Sequence, residues 1–180
     1  CSREAGGYAT AFSDMDNRCV SALTQFTQGN NTQNLDQTYH LDMRAYDLYV
    51  LAYATGAGDD MKAEGRDLVQ QTPRLSVHAR AWLALALGKM GMTSESKSVL
   101  DSLAASARQS STTAHWEEGQ PDYWSMGTDN RATALSIDAL VTLSPTDPLV
   151  PKAVRWLMSA ETEAHWPSTQ EPSISLAALA

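Results

Sequence analysis

The sequence predicts an all-α protein whose antiparallel helical hairpins form most of an α/α toroid. Three observations lead there. Almost every patterned segment has helical period, and no convincing run alternates as a strand would. A short apolar motif recurs in alternate helices. Helix starts and stops punctuate the segments, and the longer gap between repeat copies holds a loop at Arg108–Thr128.

Taken in order, the region Tyr8–Gln28 reads as helical from about Asp14. Helical segments follow at Asp42–Thr55, Asp60–Gln71, Ser76–Met90, Ser94–Ala107, Asp129–Leu143, Leu149–Ala160 and Gln170–Ala180. Asp42, Asp60, Ser76, Ser94, Asp129 and Thr169 stand where N-caps belong, each with a side-chain oxygen for the free N–H groups of a first turn. Gly56, Gly91 and Ser144-Pro145 stop helices, through a left-handed residue or a proline.

The repeat ties these helices together. Ala45, Leu48 and Leu51 sit at i, i+3 and i+6, as do Ala79, Trp82 and Leu85, then Ala134, Ile137 and Leu140, and Ser173, Leu176 and Leu179 begin a fourth copy. Each copy is small first and large twice, so neighbouring helices can approach closely near one end. Partner helices such as MKAEGRDLVQQ, ESKSVLDSLAASA and VPKAVRWLMSA lie between the copies. The pattern describes a superhelical array or a closed toroid. The copies begin 34 residues apart (79 − 45) and then 55 apart (134 − 79). That unequal spacing favours a toroid with decorated loops.

A chain of 180 residues suffices for one domain, 1–180, with a real core. Its 43% hydrophobic and 19% charged residues suit a globular protein. With 13 basic and 21 acidic residues the net charge is −8, which argues against nucleic acid or an anionic membrane surface as partner. No apolar run approaches the roughly 18–20 residues of a membrane helix, so direct membrane insertion is not expected. The opening CSREAGGYATAF lacks the basic start and apolar core of a secretory signal. Cys1 and Cys19 fit free thiols, a disulfide closing an N-terminal loop, or, for Cys1, the lipid-modified first residue of a mature lipoprotein.

The long loop gathers His115, Trp116, Tyr123 and Trp124 among Glu117, Glu118, Asp122 and Asp129. Acid–base work or metal binding would need such groups, but His40, His78, His115 and His165 are scattered singly with no paired-histidine spacing. The expected role is anchoring: aromatics seal the loop against the hairpin ends, and the acids are solvated or cap the next helix. Trp166-Pro167-Ser168-Thr169-Gln170 reads as a helix start, with Ser168 or Thr169 capping and Trp166 packing back. Asp59-Asp60, the sole Asp-Asp pair, sits at a turn where capping explains it, and Asn30-Asn31-Thr32 fits the glycosylation pattern. No catalytic residue, metal ligand or cofactor-binding residue is expected.

The order of these motifs resembles the thioester-containing domain of the alpha-2-macroglobulin family, its bacterial members most closely. The likeness rests on HLDMRAYDLYVLAYATG, on LSVHARAWLALALGKMGMTSESKSVLDSLAASA, on the His115-Trp116-Glu117 loop, on TALSIDALVTL, on KAVRWL and on Ser168-Thr169-Gln170. It covers roughly residues 40–180, while residues 1–40 match poorly. The resemblance implies an α/α toroid within a large protease-trapping protein of the periplasm or cell surface, with a parent that is in some cases lipid-anchored. It also implies neighbouring β-sandwich domains and target proteases as partners. The family's internal thioester joins a Cys to the Gln of a Cys-x-Glu-Gln motif. Cys1 is followed by Ser2-Arg3-Glu4 and Cys19 by Val20-Ser21-Ala22, so neither carries it. Pro167 replaces the family's usual Gly before Ser-Thr-Gln. The chain is then a fragment of the toroid with no catalytic activity.

Two other classes fit the helical pattern. An α/α-toroid enzyme of the isoprenoid-cyclase or glycosidase kind predicts a deep pocket with convergent carboxylates. A helical-repeat scaffold predicts an open array that binds a peptide on its concave face.

Overall fold

Val77–Lys89 is the helix around which the others gather: it is apolar on nearly every side and most of its residues are buried. In the computed structural model of the chain, residues 38–118 and 128–163 are described, with Ser175 and Ala178. Among these the fold is all-α. The helices are α1 (Thr38–Thr55), α2 (Asp59–Gln70), α3 (Val77–Lys89), α4 (Thr93–Ala105), α5 (Asp129–Leu143) and α6 (Leu149–Glu163), with a 3-10 turn at Thr72–Arg74. Two two-residue strands, β1 (Arg108–Gln109) and β2 (Ala114–His115), pair antiparallel with Arg108 opposite His115. That ladder was not expected, because two residues are too few to show alternation.

Short connections fold the chain into three hairpins, α1/α2, α3/α4 and α5/α6. Helix α3 packs against α1 on one side and α5 on the other, and the hairpin partners α2 and α4 also lie against it. The inner helices α1, α3 and α5 therefore form a row. They run parallel. At one end Asp42 of α1 and Glu118, which precedes α5, both hold the start of α3. At the other end Lys89 of α3 lies over the Tyr53 ring of α1, and Gly88 meets Leu143 of α5.

The recurrent motif is the glue of this row. Ala45, Leu48 and Leu51 are buried, as are Ala79 and Leu85 and then Ala134, Ile137 and Leu140. Small first residues let the backbones close up, as expected. Gly88 extends the same logic: a Cβ there would stand 2.6 Å from Leu143 Cδ2, so only glycine fits without displacing that leucine. Trp82 departs from the pattern. It is half-buried on the inner face, against Tyr46.

The expected turn chemistry holds in part. Gly56 and Gly91 have φ of 82° and 75°, the left-handed stops expected of them. Ser76 caps α3, accepting from Ala79 N. Four other caps need correction. Helix α1 begins at Thr38, so Asp42 lies inside it and bonds the N–H of Ser76 instead. Gly58, Met92 and Thr128 hold the cap positions assigned to Asp60, Ser94 and Asp129, which fall in the first turns of their helices. The expected helix from Asp14 and the Thr169 cap lie outside the described residues. So do Ser173, Leu176 and Leu179 of the fourth copy, while Ser175 and Ala178 are helical and Ala178 packs on the core.

Candidate functional site

The N-terminal ends of the three inner helices meet at one place, and the long loop is folded over them. Its first half is a hairpin. Ser110 N–H donates to Thr113 O, and the Ser110 hydroxyl accepts from the N–H groups of Thr112 and Thr113. Helix α6 holds the hairpin tip: Lys152 Nζ reaches Ser110 O at 3.5 Å and Arg155 Nε donates to Thr112 O at 2.9 Å. His115 stacks flat on Trp156, ring centroids 4.7 Å apart.

Trp116 then turns into the core. It is fully buried, its indole Nε1 donates to Leu103 O at 2.8 Å, and its backbone N–H donates to Thr133 Oγ1 at 3.1 Å. Glu117 points outward to Arg108 at 3.1 Å. Glu118 points inward. Its Oε1 accepts from Val77 N–H at 3.1 Å and lies 2.8 Å from His78 Nδ1, while its own N–H donates to Asp129 Oδ1 at 2.9 Å. Anchoring by the loop aromatic is as expected for Trp116. Glu118 caps α3, which lies two helices earlier in the chain, rather than the helix after the loop. Asp122, Tyr123 and Trp124 lie outside the described residues.

The resulting cluster is Asp42, His78 and Glu118. The His78 side chain is 3% exposed and that of Glu118 7%. Asp42 Oδ1 accepts from Ser76 N–H at 3.0 Å, and its Oδ2 stands 3.9 Å from His78 Nε2. Burial pushes the Asp42 carboxyl above its ordinary range, against the bonds from Ser76 that lower it. Arg80 and Arg131 stand close by. Burial depresses both guanidinium groups and the charge of Glu118 opposes that effect.

This grouping invites comparison with a serine–histidine–carboxylate triad, and the geometry declines it. Ser76 Oγ lies 3.2 Å from Nδ1 and 3.3 Å from Nε2 of the same ring. An oxygen nearly equidistant from both nitrogens sits over the ring face, off the in-plane axis along which either nitrogen bonds. The hydroxyl also serves as the α3 cap. Among the described residues, no group of three or more His, Cys, Asp and Glu side chains could hold a metal ion.

Beneath the cluster the inner face is aromatic. Tyr46 is 38% and Tyr53 46% exposed, with Tyr49 between them on α1. Tyr46 packs on Trp82, and Arg131 lies over the Trp82 ring at 5.3 Å. Asp138 of α5 faces Tyr49 and Tyr53; burial raises all three, and the Asp138 charge adds to the rise in both tyrosines.

The Asp42–His78–Glu118 grouping was missed in the sequence. A signal for part of it exists. Asp42, Ser76 and Arg131 each stand three residues before the repeat alanine of their helix, so they share one level of the row. Glu118 carries no such register. Of the other singled-out residues, Asp59 and Asp60 open α2 without a side-chain cap bond. Cys1, Cys19, the Asn30–Thr32 pattern, His165 and the Trp166–Gln170 segment lie outside the described residues. No described helix is long and apolar enough to cross a membrane. No protein-family model matches the chain, and no curated protein matches it either.

Proposed function

We propose that this chain is part of the thioester-type domain of a bacterial alpha-2-macroglobulin-like protease inhibitor, acting in the periplasm or at the cell surface. Its part is structural: to complete the toroid, to shield a thioester if the full polypeptide has one, and to dock on neighbouring β-sandwich domains. Target proteases are met through the whole inhibitor.

One observation supports this most. Three of the segments that resemble the family lie in consecutive inner helices of a parallel row, and the His-Trp-Glu loop is folded over their N-terminal ends. The engagement of the acids favours a role without catalysis. An enzyme on the same scaffold would draw on Asp42 and Glu118 converging on His78, yet one oxygen of each already accepts a backbone N–H at the start of α3. Both acids thus fix the start of α3, a structural use.

The test uses the full-length polypeptide containing this chain. Proteolytic attack should produce a stable protease complex on size exclusion. Intact mass with and without methylamine, which opens internal thioesters, then separates covalent from non-covalent capture. An adduct with release of one thiol marks a covalent trap. Digestion to small fragments without any complex would overturn the proposal.

A further inference from the structure

We propose that the α1/α2 hairpin carries a built-in pH response centred on Asp47, closing more tightly in acid than at neutral pH. Asp47 lies midway along α1, is 2% exposed, and its Oδ1 has no hydrogen-bond partner. A buried polar atom without a partner is uncommon and costs stability. The nearest cation along the helix does not relieve it. Arg44, one turn earlier, is directed to α2, with Nε 2.6 Å from Glu64 Oε1 and a terminal nitrogen 2.6 Å from Asp67 Oδ2. Glu64 instead acts on Asp47 as a like charge. Among the described residues, Glu64 of α2 is the charge that bears on Asp47; Arg44 of α1 is engaged by Glu64 and Asp67, and no charged group of α3, which also packs on α1, contributes.

Ionised Asp47 is therefore a desolvated carboxylate with a like charge across the helix pair. Protonated, it is neutral and its O–H can donate. Burial first, and Glu64 second, push its pKa up to about 6. The folded value is raised above the unfolded one, so the favourable contribution is fully present below the unfolded value of 3.8 and is lost as pH rises through about 6. The apolar contacts of Leu48 and Leu68 remain at every pH, so the hairpin loosens and stays in place. This response is independent of the proposed function.

The test compares the chain with its Asp47→Asn variant. Asp42 and Asp138 are also raised and titrate in both proteins, so the difference between the two isolates Asp47. The Tm advantage of the variant should widen between pH 5 and pH 7. At pH 7, amide exchange in α1 and α2 should be slower in the variant. Parallel Tm profiles, or equal exchange, overturn the proposal. If the variant fails to fold, a carbon-13 titration of the Asp47 carboxyl in the unaltered chain decides. A midpoint near 6 supports it, and a midpoint in the ordinary carboxylate range sinks it.

Discussion

Trp116 shows how one side chain can hold a loop of this length in place. Its ring is fully buried and its indole N–H is bound to the last turn of α4, while its backbone is bound to α5. Trp116→Phe keeps most of the apolar area and removes the indole bond to Leu103 O, which keeps its bonds from the Ser106 N–H and hydroxyl. The expected loss is about 1 kcal/mol in urea denaturation, with the slope m unchanged. Trp116→Ala adds a cavity and should cost about 3–5 kcal/mol. The anchoring role of this residue was legible in the sequence, because a tryptophan in a long polar loop has few other uses. The acids were not. Glu118 and Asp42 act on a helix that neither belongs to, 41 and 34 residues away in sequence. Local pattern carries no information about such a pairing.

Helix elements were the most legible level, and their ends the least. Six segments of helical period became six helices among the described residues, because an amphipathic period is a property of the whole segment. Starts shifted because an acid in the first turn is favoured by the helix dipole as much as one at the cap, so Asp60 and Asp129 look alike from sequence. Ser76 differs in having the cap bond itself, to Ala79 N–H. Ser76→Ala should therefore destabilise by about 1 kcal/mol in thermal or chemical denaturation. Past the other end of α3, in the α3/α4 turn, Gly91 sits at φ 75° in open space. Gly91→Ala meets no clash and pays only for the left-handed backbone, so about 1 kcal/mol is expected there as well.

At the scale of the molecule, three parallel inner helices joined at both ends make one row rather than a stack of independent hairpins. The repeat of small and large residues predicted that row, and the buried alanines carry it out. What the repeat could not convey is how the row's inner face would be furnished. Its tyrosines and Trp82 are half-exposed and interleaved with Arg131, Lys89 and Asp138, a mixture that periodicity reads as neither core nor surface. In the proposed toroid this face turns toward the centre of the ring. The proposal that the chain serves a macroglobulin-like trap is tested most directly by protease activity in the presence of the full-length polypeptide. A trap encloses the protease and leaves its active site working. Cleavage of a large protein substrate should be strongly suppressed while cleavage of a small peptide substrate continues. Equal suppression of both substrates, or of neither, would contradict the account.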